Sequence, residues 1–240
     1  MLRLLTPILG RRSDVCKEGS SDSTVKVWDE PTRLFHWFIV VLIAVSWISA
    51  DLGYMKVHLW SGSALLCLLI FRLIWGFFGS TTSRFSDFLR PPQHVIGYFR
   101  DLLGAEKPRY AGHNPAGGWM VLTMVLVVLV QVVTGLFSND GIGFTGPLAL
   151  RISSDVSDEI TQIHGWIFFG ILTFVWLHLV AIFFYYFVKR ENLIQPMVTG
   201  HKHRVHLPAI VDLKFTHPYV ALAIFAAVTA AVLLFLFVPY

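Results

Sequence analysis

Residues 161–188 read TQIHGWIFFGILTFVWLHLVAIFFYYFV, a run with no charged side chain and two histidines, His164 and His178. About 20 mostly apolar residues suffice for a helix to cross a bilayer, so this run can span one. Lipid offers no partner to backbone N–H and C=O groups, which obliges such a run to be helical. Fourteen positions separate the histidines. At 3.6 residues per turn that is about 3.9 turns, so both imidazoles leave one face of the helix, about 21 Å apart along its axis. The hydrocarbon core is about 30 Å thick, which puts one histidine in each half of the membrane.

Four further runs share this character: 34–50, 57–78 with the single charge Arg72, 119–137 and 218–238. The whole chain is 55% hydrophobic and only 14% charged, whereas soluble domains carry about a quarter charged residues. The reading is an all-α integral membrane protein with five spans. Basic residues set their direction. Arg3, Arg11, Arg12, Lys17, Lys26 and Arg33 precede the first span. Arg84, Arg90, Arg100, Lys107 and Arg109 follow the second, and Lys189, Arg190, Lys202, Arg204 and Lys214 follow the fourth. The other loops hold only Lys56 and Arg151, the latter beside Asp140, Asp155, Asp158 and Glu159. This predicts a cytoplasmic amino terminus and a periplasmic carboxyl terminus. The net charge of +4 is thereby explained by topology, not by a nucleic-acid partner.

Direction turns the histidines into a geometry. His36 opens a span that runs outward, so it lies at the inner depth. His58 opens the return span and lies at the outer depth. The fourth span runs inward, so His164 is outer and His178 inner. Two pairs follow, His36 with His178 and His58 with His164. Zinc would require four close ligands, often thiolates. Two opposed imidazoles on facing helices suit the axial positions of a haem. Without a Cys-x-x-Cys-His motif, covalent c-type attachment is excluded; Cys16 and Cys67 are too differently placed to pair. The sequence therefore predicts two stacked b-type haems between facing membrane helices.

Other residues gather around those sites. Gly62, Gly135 and Gly165 would clear a flat slot for porphyrin. Arg72, 14 residues beyond His58, falls at the inner depth, where it could meet a haem propionate. Arg33 and Lys189 lie near the same face, as does Arg190. His113, in Gly112-His113-Asn114-Pro115, is expected near a propionate or a quinone. His201, His203 and His206 read as a solvated basic loop. Trp28, Trp37, Trp60, Trp119 and Trp166 fall where an interfacial aromatic belt is expected. Val95, Ile96, Phe99, Leu102 and Leu103 recur at helical spacing within 93–103, as in a short interfacial helix. Residues 1–26 read as a flexible cytoplasmic tail, 27–205 as the di-haem domain, and 206–240 as a carboxyl-terminal segment carrying the fifth span.

The stretch Val27-Trp28-Asp29-Glu30-Pro31-Thr32-Arg33-Leu34-Phe35-His36-Trp37 resembles the opening of the prokaryotic cytochrome b561 family. The branch most similar is that of the cytochrome b subunits of nickel–iron hydrogenases. His58-Leu59-Trp60-Ser61-Gly62, Gly112 through Gly118, Ile163-His164-Gly165 with His178, and Lys189 through Ile194 agree in order. Gly165 departs from the family pattern, which has an acidic residue there. The resemblance implies a four-helix transmembrane bundle holding two haem b groups with the same histidine pairing, and a fifth carboxyl-terminal transmembrane helix, without a candidate ligand, packed against the bundle or a partner. It also implies electron transfer between membrane quinone and a redox partner, either a c-type cytochrome or a dehydrogenase or hydrogenase subunit. Membrane lipid and a second copy of the chain, as a homodimer, complete the expected partners, and the location is the bacterial inner membrane. Two other functions remain open at this point: a stand-alone quinone-linked oxidoreductase of superoxide-oxidising type, and a non-redox transporter or scaffold with structural histidines.

Overall fold

The computed structural model of the chain describes residues 23–102 and 109–237. Most of the expected tail, with Cys16 and the basic residues Arg3, Arg11, Arg12 and Lys17, lies outside the described residues, as do Leu103, Lys107 and Val238. Eight α-helices follow in order among those described: α1 Glu30–Asp51, α2 Met55–Phe78, α3 Phe85–Phe88, α4 Pro92–Leu102, α5 Pro115–Leu136, α6 Ser154–Phe187, α7 Ile194–Thr199 and α8 Pro218–Phe237. Five of them, α1, α2, α5, α6 and α8, are long and apolar enough to span a membrane.

Local chemistry sets where these helices begin. Asp29 caps α1 by accepting from the Thr32 amide at 3.0 Å, with Pro31 in the first turn. Asn114 caps α5 by accepting from the Gly117 amide at 2.7 Å, again with a proline, Pro115, directly after it. Side-chain caps of this kind contribute about 0.5–2 kcal/mol each, and proline suits the first turn because no N–H is needed there. The α1–α2 turn needs Gly53, whose φ of +74° is left-handed.

α1 packs on α2, α2 on α5, and α5 on α6, while α1 and α6 face each other through the Trp47 and Phe168 rings, 5.7 Å apart, and the His36–His178 pair. α2 is the most enclosed helix, burying Leu65, Leu66, Leu68, Leu69, Phe71 and Trp75. Ser46 and Ser49 of α1 and Ser61 and Ser63 of α2 are buried too, since small residues let membrane helices approach closely. α8 lies against α2, burying Ala221, Val228, Val232 and Leu236. α6 buries only Ser157 and Ile171, and its two histidines are half-buried against the neighbouring helices.

One end of the bundle carries a strap that sequence reading missed. β1 (Thr24–Lys26), assigned above to the flexible tail, pairs antiparallel with β2 (His201–His203), Val25 opposite Lys202. The Val27 and Trp28 amides donate to the Gly200 carbonyl at 2.8 and 3.1 Å. Val27, Trp28 and Leu207 form a small core there, so Trp28 is buried and not part of an aromatic belt. Leu207 also joins residues beyond 205 to those at the start of the domain. Trp37, Trp60, Trp119 and Trp166 are exposed, as a belt requires. On α4, Ile96 and Phe99 are exposed, and the inward contact comes from Tyr98, which is buried.

Candidate functional site

The histidines meet in the pairs that span direction gives. At the end away from the strap, the rings of His58 on α2 and His164 on α6 have centroids 6.1 Å apart. At the strap end, His36 on α1 and His178 on α6 are 6.5 Å apart. With a metal–imidazole bond of about 2 Å, and about 1.2 Å from ring nitrogen to ring centre, one ion between two facing imidazoles sets the centres about 6.4 Å apart. Both pairs match that spacing. Among the described residues no group of three or more His, Cys, Asp or Glu side chains could hold a metal ion, so the donors available are two imidazoles per site. That set suits a haem, which supplies the other four ligands itself.

The far-end pair is oriented by backbone carbonyls. A carbonyl only accepts, so the His58 Nδ1–H donates to Ser46 O at 2.8 Å, and the His164 Nδ1–H donates to Gln131 O at 2.9 Å. Each bond fixes a tautomer that leaves Nε2 unprotonated, the usual arrangement around a metal-binding histidine; the His164 Nε2 lies 3.1 Å from the Gln131 side-chain nitrogen. A cavity of about 230 Å³ opens between the rings, lined by Trp47, Phe168, Gly62, Gly165 and Ser63 among others, none of them charged. A Cβ added to Gly62 or Gly165 would meet nothing within 4 Å, whereas one on Gly135 would fall 2.9 Å from His164 Cε1. Gly135 thus makes room for the imidazole, and Gly62 and Gly165 leave the slot beside it open.

The strap-end pair has a polar surround. Arg72 is 2% exposed, its guanidinium over the rings of Phe85, Phe88 and Phe35 at 5.1, 5.8 and 6.0 Å. Its Nη1 is buried with no hydrogen-bond partner among the described residues, as are His36 Nδ1, His113 Nδ1 and Arg33 Nε. His113 packs edge-on to Trp28 at 4.8 Å. Burial holds its imidazole down to about 3, helped by Arg72 and by the facing His178 and His36. Unpaired buried polar groups are costly; the Arg72 guanidinium and the His113 ring, both near the His36–His178 pair, would fit an anionic group such as a propionate.

A model of the family described as prokaryotic cytochrome b561 matches residues 27–200. The chain belongs to the prokaryotic cytochrome b561 family. Two curated relatives carry the name probable Ni/Fe-hydrogenase B-type cytochrome subunit. That of Bradyrhizobium diazoefficiens is 25% identical over 213 residues, covering 75% of this chain and 86% of its own length. That of Azotobacter chroococcum is 28% identical over 214 residues, covering 74% and 88%. No solved structure matches the chain significantly. As a member of the family it is a multi-pass prokaryotic membrane protein and a b-type cytochrome, working in electron transfer with haem b.

Within this cytochrome b561 the remaining candidates fall in different places. Arg72 and His113 both lie near the strap-end pair, close enough for the guanidinium to disfavour a charged His113 ring. The Arg33 guanidinium lies against Gly200, where an added Cβ would come within 2.6 Å of it. The Lys189 ammonium donates to the carbonyl of Leu102 at the end of α4, away from the ring pairs. Lys202, read above only as a topological charge, is buried, pairs with Glu191 at 2.6 Å and donates to Tyr110 O at 2.9 Å. Sequence reading also missed Ser46 and Gln131, whose carbonyls orient the ring nitrogens. Gln131 had a legible signal: it is a polar residue inside an apolar run, one turn before Gly135.

Proposed function

We propose that this cytochrome b561 holds two haem b groups, one between His36 and His178 and one between His58 and His164, and passes electrons across the membrane between quinone and a protein partner. The observation that carries the reading is the spacing of the two ring pairs, each near that of a single metal–imidazole sandwich. Bound haem b would supply one-electron ferric/ferrous chemistry, and His36 with His178 and His58 with His164 are the residues that would hold it.

The chain's own groups divide the remaining work. Ser46 and Gln131 carbonyls hold the far-end imidazoles in the tautomer that presents Nε2. Gly62 and Gly135 keep space for ring and porphyrin. Arg72 and His113 supply donors for a propionate at the strap end. That end is assigned to the cytoplasm, because Lys26, Arg33, Arg84, Arg90, Arg100, Arg109, Lys189 and Arg190 flank it, as the positive-inside tendency requires. Quinone is assigned to the same end, near His113, where Asn114 donates to the Tyr185 hydroxyl at 2.8 Å and Tyr185 bonds Tyr98. The protein partner is assigned to the opposite face, and the names of the two relatives favour a hydrogenase subunit. The uncharged lining of the far-end cavity gives nothing to attract a small anion such as superoxide.

The test is a vesicle experiment. The purified chain is placed in liposomes with ferricyanide trapped inside and a membrane-impermeant reductant outside. Wild type should reduce the trapped ferricyanide, and His36→Ala and His58→Ala should each stop it. Unchanged reduction in both variants would overturn the reading.

A further inference from the structure

A layer of aliphatic side chains separates the two histidine pairs. Ile43 lies seven positions past His36 on α1, Leu65 seven past His58 on α2, and Ile171 seven from both His164 and His178 on α6. Seven residues make about 1.9 turns and about 10.5 Å, so each falls on the histidine face, midway between the pairs. Leu65 and Ile171 are buried there, with Val125 and Val128 of α5. These four belong to one packed cluster, and Ile43 packs against it. Ile43, Leu65, Val128 and Ile171 also line the far-end cavity and wall it toward the strap end. Polar side chains on these faces stop short of the layer. Ser46 and Ser63 stand on its far-end side, and Arg72 stands seven positions past Leu65 on the strap side. Cys67 of α2 faces Thr229 of α8 instead.

We propose that this layer is a proton barrier: it lets an electron pass between the two sites and holds water and protons back. A water inside a protein needs polar partners, and hydrophobic constrictions exclude it. None of the five side chains offers a donor, an acceptor or a titratable group. The electron that leaves one iron, ferrous to ferric, and reaches the other, ferric to ferrous, needs neither water nor a proton site. Each crossing therefore moves one uncompensated negative charge through the bundle, and transfer charges the membrane. The electron half rests on the proposed haem ligation; the barrier rests on where the layer lies. A layer that served packing alone would affect stability when made polar and leave proton flux unchanged.

Haem-loaded protein is placed in potassium-loaded liposomes with the pH-sensing dye pyranine trapped inside. Valinomycin sets an interior-negative potassium potential, and the dye reads proton entry. Wild type should stay at the rate of protein-free liposomes, and Ile171→Leu should match it. Ile171→Asn and Leu65→Asn each give water a polar partner in the layer, and proton entry should rise by about 5- to 150-fold. A retained b-type spectrum reports that each variant is assembled. Ile171→Thr, a smaller change, serves if neither Asn variant assembles. Wild-type proton entry in every assembled polar variant would overturn the inference. The ferricyanide vesicles give a second reading: valinomycin with potassium should speed reduction by the wild type, by relieving the charge that each electron carries in. Reduction that valinomycin does not speed, with protons entering alongside, would also overturn it. A wild type that moves no electrons would overturn the haem reading, and the proton assay would still decide the barrier.

Discussion

Replacing Gly135 with alanine would add one methyl group to α5, and the structure shows what that methyl meets. The new Cβ would sit 2.9 Å from His164 Cε1, 3.4 Å from Nδ1 and 3.7 Å from Nε2. Ordinary carbon contacts begin at about 3.5 Å, so the ring must retreat by roughly half an ångström or α5 must bend. The ring is tied by its Nδ1–H to Gln131 O at 2.9 Å, and retreat stretches that bond. Overpacking costs about 1–3 kcal/mol and a lost hydrogen bond about 0.5–1.5 kcal/mol. Together these give about 1.5–4.5 kcal/mol, or roughly 10- to 1,000-fold in haem affinity at the far-end site. Haemin titration of Gly135→Ala in the His36→Ala background reads that site alone. Gly62→Ala is the matched control for the empty protein, because its Cβ meets nothing within 4 Å, and it should leave the melting temperature unchanged. Full far-end affinity in Gly135→Ala would refute the argument that the glycine exists to seat His164.

Arg72→Leu should keep the fold, because the cage of Phe35, Phe85 and Phe88 accepts an apolar side chain. It should weaken the strap-end haem by about 10- to 150-fold, the worth of a charge-assisted hydrogen bond, and lower its midpoint potential in a redox titration without moving the other. Asp29→Ala should destabilise the whole protein by about 2–4 kcal/mol: it removes the α1 cap and orphans the buried Trp75 Nε1 donor, now 3.1 Å from Asp29 Oδ2. A melting curve in detergent that does not shift would contradict this. Asp140 is held below its ordinary value by the amides of Gly143, Ile142 and Phe144. A depressed carboxylate stabilises above its unfolded pKa and loses that contribution as pH falls through the folded one. Amide exchange at Ile142–Phe144 should therefore quicken only below about pH 3.8, the usual carboxylate value, and Asp140→Asn should show that fast exchange at neutral pH.

Much of the architecture is legible because a bilayer narrows the choices. An apolar run must be a helix, and once its direction is known the depth of each histidine follows from residue count alone. This is why residue count alone pairs His36 with His178 and His58 with His164. What sequence reading loses is everything set by contact across the fold. β1 and β2 are three residues each and joined over most of the chain, so no local pattern marks them, and Trp28 passes for a belt residue although the strap buries it. Lys189 and Arg72 look alike as charges near one face. Only packing separates them: Arg72 is enclosed by three aromatic rings beside the histidines, while Lys189 reaches the end of α4. Ser46 orients His58 through its backbone carbonyl, which every residue has, so the sequence carries no sign of that role.

The measurement that bears most directly on the central claim is the haem content of the purified chain, read by reduced-minus-oxidised spectroscopy against protein concentration. Two b-type haems per chain are expected, with His36→Ala and His178→Ala removing the same one and His58→Ala and His164→Ala removing the other. A single haem, or variants within one pair that remove different haems, would contradict the pairing.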